Sequence, residues 1–272
     1  MRTLLTTKPI THALRVEDHA TVDIQTMVDG VSTVAVVFVG ERHDAVEHHK
    51  LQLEALKGLA ARGKSLTIGM EMFTVSSQDA LDAWSAGNVS AYAFIKLYES
   101  NWKNVPYRLY EDIFAYARDN HIPVVALNAP QEIVKKVSKR GLSSLTNDDR
   151  RLLPPGADAK VSDAYLDFIR SSYAVHGRGG DQFRNICEAQ MLRNRVMASR
   201  IRDYHQLHSE KVMVVIAGGA HARGKGGIPA ELGNLPFKII LPPLPGLSAE
   251  SIRAEDADFL LKEPFSLFDL LY

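Results

Sequence analysis

Apolar positions along this chain fall into short continuous runs separated by longer stretches of helical spacing. Val34-Ala-Val-Val-Phe-Val39 is an unbroken apolar run closed by Gly40, the pattern of a central parallel strand buried on both faces. A helix is predicted to follow, with Asp44 and Glu47 at the spacing of an N-cap and its capping-box partner. Leu51, Leu53, Leu56 and Leu59 are its apolar positions and Gly63 its stop. Leu66 to Phe73 reads as the next strand. The alternation repeats with Tyr107 to Asn120 as helix and Pro123 to Asn128 as strand, then with Gly180 to His208 as helix and Lys211 to Ala217 as strand.

Strands alternating with helices predict an α/β fold: a central, mostly parallel sheet with helices on both faces. Two stretches carry no strand signal and read as helical, residues 75–101 and 131–179, with breaks at Gly141, Pro154-Pro155-Gly156 and Gly177 to Gly180. The economical expectation is one domain spanning 1–272, in which these two insertions assemble a small helical subdomain over one end of the sheet.

Composition narrows the function. Thirty-two Lys and Arg balance thirty-two Asp and Glu, so no global field draws the protein to nucleic acid or to an acidic membrane, and any anion must be met by local cations. The single Cys187 excludes an intrachain disulfide framework and leaves the redox compartment open. Residues 1–10 lack the apolar run of a secretory leader, and no stretch approaches the ~20 apolar residues of a membrane span.

Ligands of an open parallel sheet collect beyond the carboxyl ends of its strands. Three polar clusters fall at such ends: Glu41 and His43 in Gly40-Glu-Arg-His-Asp44, Glu71 near the end of the second strand, and His221 after Gly218-Gly-Ala220. Two carboxylates and two imidazoles from distant parts of the chain suffice for general acid/base chemistry, and His43, Glu71 and His221 for a weak divalent-metal site. The ordinary alternatives are a carboxylate paired with an arginine for Glu71 and a turn residue for His221. Glu71 carries the most weight, because it places a charge in an otherwise apolar strand, where an unpaired charge is costly. Arg193, three residues after Gln190 on the long helix, is expected to pair with Glu71 or Glu41.

Three further features bear on the chemistry. His48 and His49 open the helix after Gly40, with His48 and Gln52 on one face, but no HExxH or paired-cysteine pattern supports a metal there. The stretch Trp102 to Tyr110 crowds aromatic residues with Lys103 and Arg108; a tyrosine can ligate ferric haem and a cation can neutralise a propionate. Tyr110, Ile113, Phe114 and Ala117 equally form the buried stripe of an amphipathic helix. The glycine-rich run 218–227, with Arg223 and Lys225, could cradle an anion but lacks nucleotide-loop spacing.

Taken in order, Val39-Gly-Glu-Arg-His-Asp44 with His48, His49 and Gln52, Gly69 to Phe73 with Gln78 and Leu81, Trp102 with Tyr107 and Tyr110, Pro123 to Asn128, Gln190 with Arg193, Met197 and Ala198, and Ile216 to His221 ahead of Gly227-Ile-Pro229 resemble the ChaN family, within the Tiki and erythromycin-esterase-like superfamily. The resemblance runs from about residue 34 to about 232 and implies haem binding in bacterial iron uptake. A tyrosine axial ligand would fall on Tyr107 or Tyr110, and two haems would stack at a homodimer interface that forms with the ligand. By the same resemblance, Trp102, Lys103, Arg108, His48 and His49 would surround the haem, an outer-membrane haem receptor system would be a partner, and the location would be the cell envelope. More distant relatives imply a hydrolase, an esterase or metal-dependent peptidase, with Glu41, His43, Glu71, His221 and Arg193 catalytic. A degenerate binding scaffold is the third option. The sequence departs from the family in carrying Asn194 where an aspartate is expected, and in lacking a lipoprotein leader with its cysteine.

Overall fold

The computed structural model describes residues 8–172 and 180–263. The strands are β1 (His12–Arg15), β2 (Thr21–Asp23), β3 (Val36–Glu41), β4 (Leu66–Thr74), β5 (Val124–Asn128), β6 (Val212–Gly218), β7 (Phe237–Leu241) and β8 (Phe259–Leu261). The helices are α1 (Ile24–Val31), α2 (Val46–Ala61), α3 (Gln78–Ser85), α4 (Ala91–Asn101), α5 (Glu111–Asp119), α6 (Gln131–Arg140), α7 (Asn147–Arg151), α8 (Asp163–Ser172), α9 (Asp181–Leu207) and α10 (Gly219–Ala222).

All eight strands join one sheet in the order β2-β1-β8-β7-β3-β6-β4-β5. From β8 to β5 every pairing is parallel, while β1 runs antiparallel to both β8 and β2. The fold is α/β, as the alternation of strand and helix patterns predicts. The three central strands β3, β4 and β6 are buried along their whole length, which is why they read as continuous apolar runs. β1, β2, β7 and β8 are short, and their residues carry no comparable run.

One face of the sheet packs Val37, Val39, Ile68 and Met70 against Met27 of α1, Leu56 of α2 and Phe114 of α5. The other packs Phe38, Val215 and Ala217 against Met197, Ala198 and Ile201 of α9. A third apolar cluster joins Ile133 and Val137 of α6 and Tyr165 and Leu166 of α8 to Phe183, Cys187 and Leu192 in the first half of α9.

Val75 packs against that third cluster, whereas Leu81, Trp84, Phe94 and Tyr98 pack on the sheet with Phe73, where Trp84 and Phe94 stack at 4.0 Å. Their large rings complete the first face of the sheet. Two local expectations are corrected. Asp44 does not cap α2; the N-cap is Ala45, with no side-chain bond. The turn is held instead by the amide of Arg42, which donates to His48 Nδ1 at 2.9 Å. Finally, the helix expected from Tyr107 is a 3₁₀ turn over Tyr107–Leu109 followed by α5, with the buried Tyr110, at φ −108° and ψ −1°, as the cap residue between them. The break at Gly177 to Gly180 lies largely outside the described residues.

Candidate functional site

Glu41 ends β3, Glu71 lies just past the midpoint of β4, and His221 follows β6 in α10. Parallel register brings these three strand ends together, with Glu41 opposite Gly218 across β3 and β6. A cleft of about 750 Å³ opens there, lined by Glu41, His43, Glu71, Arg193 and His221, with Trp102, Val105 and Leu244 as its apolar wall. Five residues from four distant segments thus share one cavity.

Glu41 is buried and its carboxylate is saturated. His43 Nδ1 donates to Oε1 at 2.7 Å, Gln52 Nε2 donates to Oε2 at 2.7 Å, and the hydroxyl of Tyr110 donates to Oε1. Burial works to raise the Glu41 carboxyl, but the hydrogen bonds from His43 and His49 outweigh it and hold it at about 2. On His43, burial works to lower the imidazole, yet Glu41, with Glu71, raises it above its ordinary range. The His43 ring is 34% exposed, stands edge-on to Trp102 at 5.2 Å, and its Nε2 makes no hydrogen bond among the described residues. A side chain at position 218 would crowd it, since a Cβ there would sit 3.0 Å from His43 Nε2.

Glu71 is 1% exposed and is met by Arg193 Nη2 at 2.5 Å and by the amide of Gly218 at 2.7 Å. Arg193 is in turn positioned by Asn128 Oδ1 at 3.1 Å and Gln190 Oε1 at 2.9 Å. Burial alone would raise Glu71; the positive charges around it prevail, His221 when protonated and then Arg193 and His43, and hold it at about 2. The permanent guanidinium secures that direction at every pH where the fold persists.

His221 is buried. Its Nδ1 lies 2.5 Å from Asn194 Oδ1, and its Nε2 lies 3.7 Å from Glu71 Oε1, beyond hydrogen-bond reach. Burial lowers its pKa to about 4, so the ring is neutral at pH 7. The site therefore holds two imidazoles pushed in opposite directions, one towards the acid form and one towards the base form. Separated pKa values of this kind assign acid and base roles in a catalytic pair.

The remaining residues expected at the site lie elsewhere. Tyr110 is fully buried, and burial followed by the charge of Glu41 drives its phenol far above the ordinary range. Tyr107 is half-buried, stacks on Phe114 at 5.7 Å, and is pushed up to about 12, chiefly by burial. Neither tyrosine lines the cleft, nor does Arg108, whereas Lys103 is exposed on its rim. His48 is buried between the Arg42 amide and Glu263, 2.8 Å from its Nε2. Both nitrogens of His49 face oxygens, His43 O at 3.1 Å and Gln52 Oε1 at 3.2 Å, so neither histidine presents a free nitrogen to a ligand. Among the described residues, no group of three or more His, Cys, Asp or Glu side chains could hold a metal ion, which leaves the trio His43, Glu71 and His221 without a metal-binding arrangement. Lys135 and Leu244, which complete the cleft, have no sequence signal that marks them.

The sequence profile described as haem-binding uptake, Tiki superfamily, ChaN matches residues 27–232. The chain belongs to this family. Its fold is similar to that of ChaN of Campylobacter jejuni, a protein described as binding haem cofacially, with a TM-score of 0.70 at 17% identity over 94% of this chain and 97% of that one. A mutant erythromycin esterase in its open conformation is similar at a TM-score of 0.50 and 11% identity, over 93% of this chain and 82% of the esterase. Both likenesses concern the fold. Among curated sequences, Protein RETICULATA-RELATED 5, chloroplastic, of Arabidopsis thaliana is 25% identical over 143 residues, half of this ChaN-family chain and 19% of that longer protein. Among the described residues, no helix is long and apolar enough to cross a membrane.

Proposed function

We propose that this ChaN-family protein binds haem in the strand-end cleft, as a ligand handled in iron acquisition, with His43 Nε2 as the iron-facing atom. The observation that carries this reading is the pair Glu41–His43: a histidine with one nitrogen tied to a buried carboxylate and the other free in a cleft. Histidines that ligate metals usually donate their second N–H to such a partner, which fixes the ring and makes it more basic.

The lining fits a porphyrin. Trp102, Val105 and Leu244 supply apolar surface, while Lys103 and Lys135 supply cations for propionates. In this reading the haem would supply iron and a broad apolar face. A second copy of the chain would cover that face, so dimerisation accompanies binding, and delivery to or from an outer-membrane haem receptor system is the cellular role. Hemin titration followed by Soret absorbance and sedimentation tests it. A saturable Soret shift with a rise in mass supports the reading, and a spectrum identical to free hemin overturns it.

A second reading, a hydrolase acting on an ester or peptide, is favoured by the opposed protonation of His43 and His221. His221 would take a proton from water and His43 would give one to the leaving group. His43→Ala would then reduce turnover by about 100- to 10,000-fold. Unchanged hydrolysis in His43→Ala and in His221→Ala removes this alternative.

A further inference from the structure

The loop that carries His43 runs from Arg42 to Ala45, between β3 and α2, and two histidines of α2 pin it. The carbonyl of His43 faces His49 Nε2 at 3.1 Å, and the amide of Arg42 donates to His48 Nδ1 at 2.9 Å. A backbone N–H can only donate, so Nδ1 of His48 is the lone pair and Nε2 carries the proton. The ring is 1% exposed, so its Nε2–H needs an acceptor inside the protein. Glu263 supplies one, with Oε1 at 2.8 Å.

Glu263 stands just beyond β8, 215 positions along the chain from His48. The sheet sets its place, because the amide of Lys262 donates to the carbonyl of His12 in β1 at 3.0 Å. Its carboxylate also receives Arg42 Nη1, at 3.0 and 3.1 Å to its two oxygens. Arg42 is therefore tied to Glu263 twice, directly by its side chain and through His48 by its main chain. Glu263 itself does not line the cleft. We propose that Glu263 is a positioning residue for His43: it holds His48 in the tautomer that anchors the Arg42 amide, and so fixes the loop that presents His43 Nε2 to the cleft.

The role follows from the acceptor at position 263 and not from its bulk. Without an acceptor the buried Nε2–H of His48 is left unsatisfied, which favours moving the proton to Nδ1. An Nδ1–H would face the N–H of Arg42, donor against donor, and the amide would have to leave. Arg42 is the one residue between Glu41 and His43, so its displacement reaches the 2.7 Å contact between them. Partners behind a ligating histidine tune binding by fixing its ring. The inference deepens the haem-binding reading and rests on it for the effect on ligand affinity, while its structural half is read without hemin.

The test begins with nitrogen NMR of the intact, ligand-free chain. His48 should carry its proton on Nε2 with Nδ1 bare, and the Arg42 amide should exchange slowly with solvent. A His48 ring protonated on Nδ1 overturns the proposal with no variant needed. Two variants of nearly equal size then separate acceptor from bulk. Glu263→Met removes the acceptor and should speed exchange of the Arg42 amide and of the His43 Nδ1 proton roughly ten-fold. Glu263→Gln keeps an oxygen for His48 and should hold both rates near the parent's. Hemin affinity, read by the Soret band, should fall about ten-fold in Glu263→Met and stay close to the parent's in Glu263→Gln. Equal exchange rates in the parent and both variants overturn the proposal, as does a Gln variant that behaves like Met. If the parent binds no hemin, the haem reading fails while the exchange rates still decide the positioning role. If hemin binds the parent and Glu263→Met equally, the positioning role fails and the haem reading stands.

Discussion

Asn194 presents its carboxamide oxygen, not its nitrogen, to Nδ1 of His221. The nitrogen is held by Gly226 O at 2.9 Å, and this fixes the amide so that only oxygen faces the ring, at 2.5 Å. His221 must therefore carry its proton on Nδ1 and keep Nε2 as a lone pair. Asn194 thus sets the tautomer while adding no charge.

Asn194→Asp should change that balance. A carboxylate in contact with Nδ1 favours the imidazolium, so the pKa of His221 should rise by at least about one unit from its value of about 4. Nitrogen NMR of the ring is the measurement: the parent protein should show a neutral Nδ1–H tautomer at pH 7, and the variant should titrate at higher pH. Equal titration in both would show that the amide does not govern the ring.

Arg193 and Glu71 form a buried pair, so removing one partner leaves an uncompensated charge. Arg193→Ala should cost about 3–5 kcal/mol of stability by urea unfolding, whereas Arg193→Ala combined with Glu71→Gln should cost less than the sum of the two single changes. Strict additivity would mean that the two do not interact.

Stability should fall in acid in two stages. The folded pKa of His221, about 4, lies below its ordinary 6.5, so between those values the unfolded chain holds the extra proton. Stability is then lost as pH drops from about 6.5 to 4, by up to about 3 kcal/mol. Glu41 and Glu71, held at about 2 against an ordinary 4.5, extend the loss from about 4.5 down to 2. His43, being raised, acts oppositely: its contribution is complete below 6.5 and disappears as pH rises through its folded value. Urea midpoints across pH 4–7 check this, and His221→Gln should flatten the limb between 4 and 6.5. An unchanged slope in that variant would assign the acid sensitivity elsewhere.

The buried strands were legible because a parallel sheet covered on both faces needs unbroken apolar runs, and β3, β4 and β6 supply them. Glu41, His43, Glu71 and His221 stood out for the same reason, as charges and imidazoles placed where such runs end. Arg193 followed from the expense of burying Glu71 alone. The direction of Tyr110 was not legible, because helical spacing places it on a stripe without saying that its hydroxyl reaches Glu41. Nor was the docking of Trp84 and Phe94 on the sheet, since they carry the same apolar signal whichever core they join. Lys135 became part of the cleft only through the docking of α6, a tertiary event with no local signature.

In the proposed function haem meets His43 and not a tyrosine. Hemin spectra and affinities of His43→Ala, Tyr107→Phe and Tyr110→Phe, compared with the parent protein at pH 8 and again at pH 6, test it most directly. His43 must release its Nε2 proton to bind iron, and its pKa is raised, so affinity should fall on going from pH 8 to pH 6. His43→Ala should lose both the parent's visible bands and this pH dependence, while the two tyrosine variants keep the bands. Bands that survive in His43→Ala and vanish in Tyr107→Phe or Tyr110→Phe would contradict it and give the iron to a phenolate.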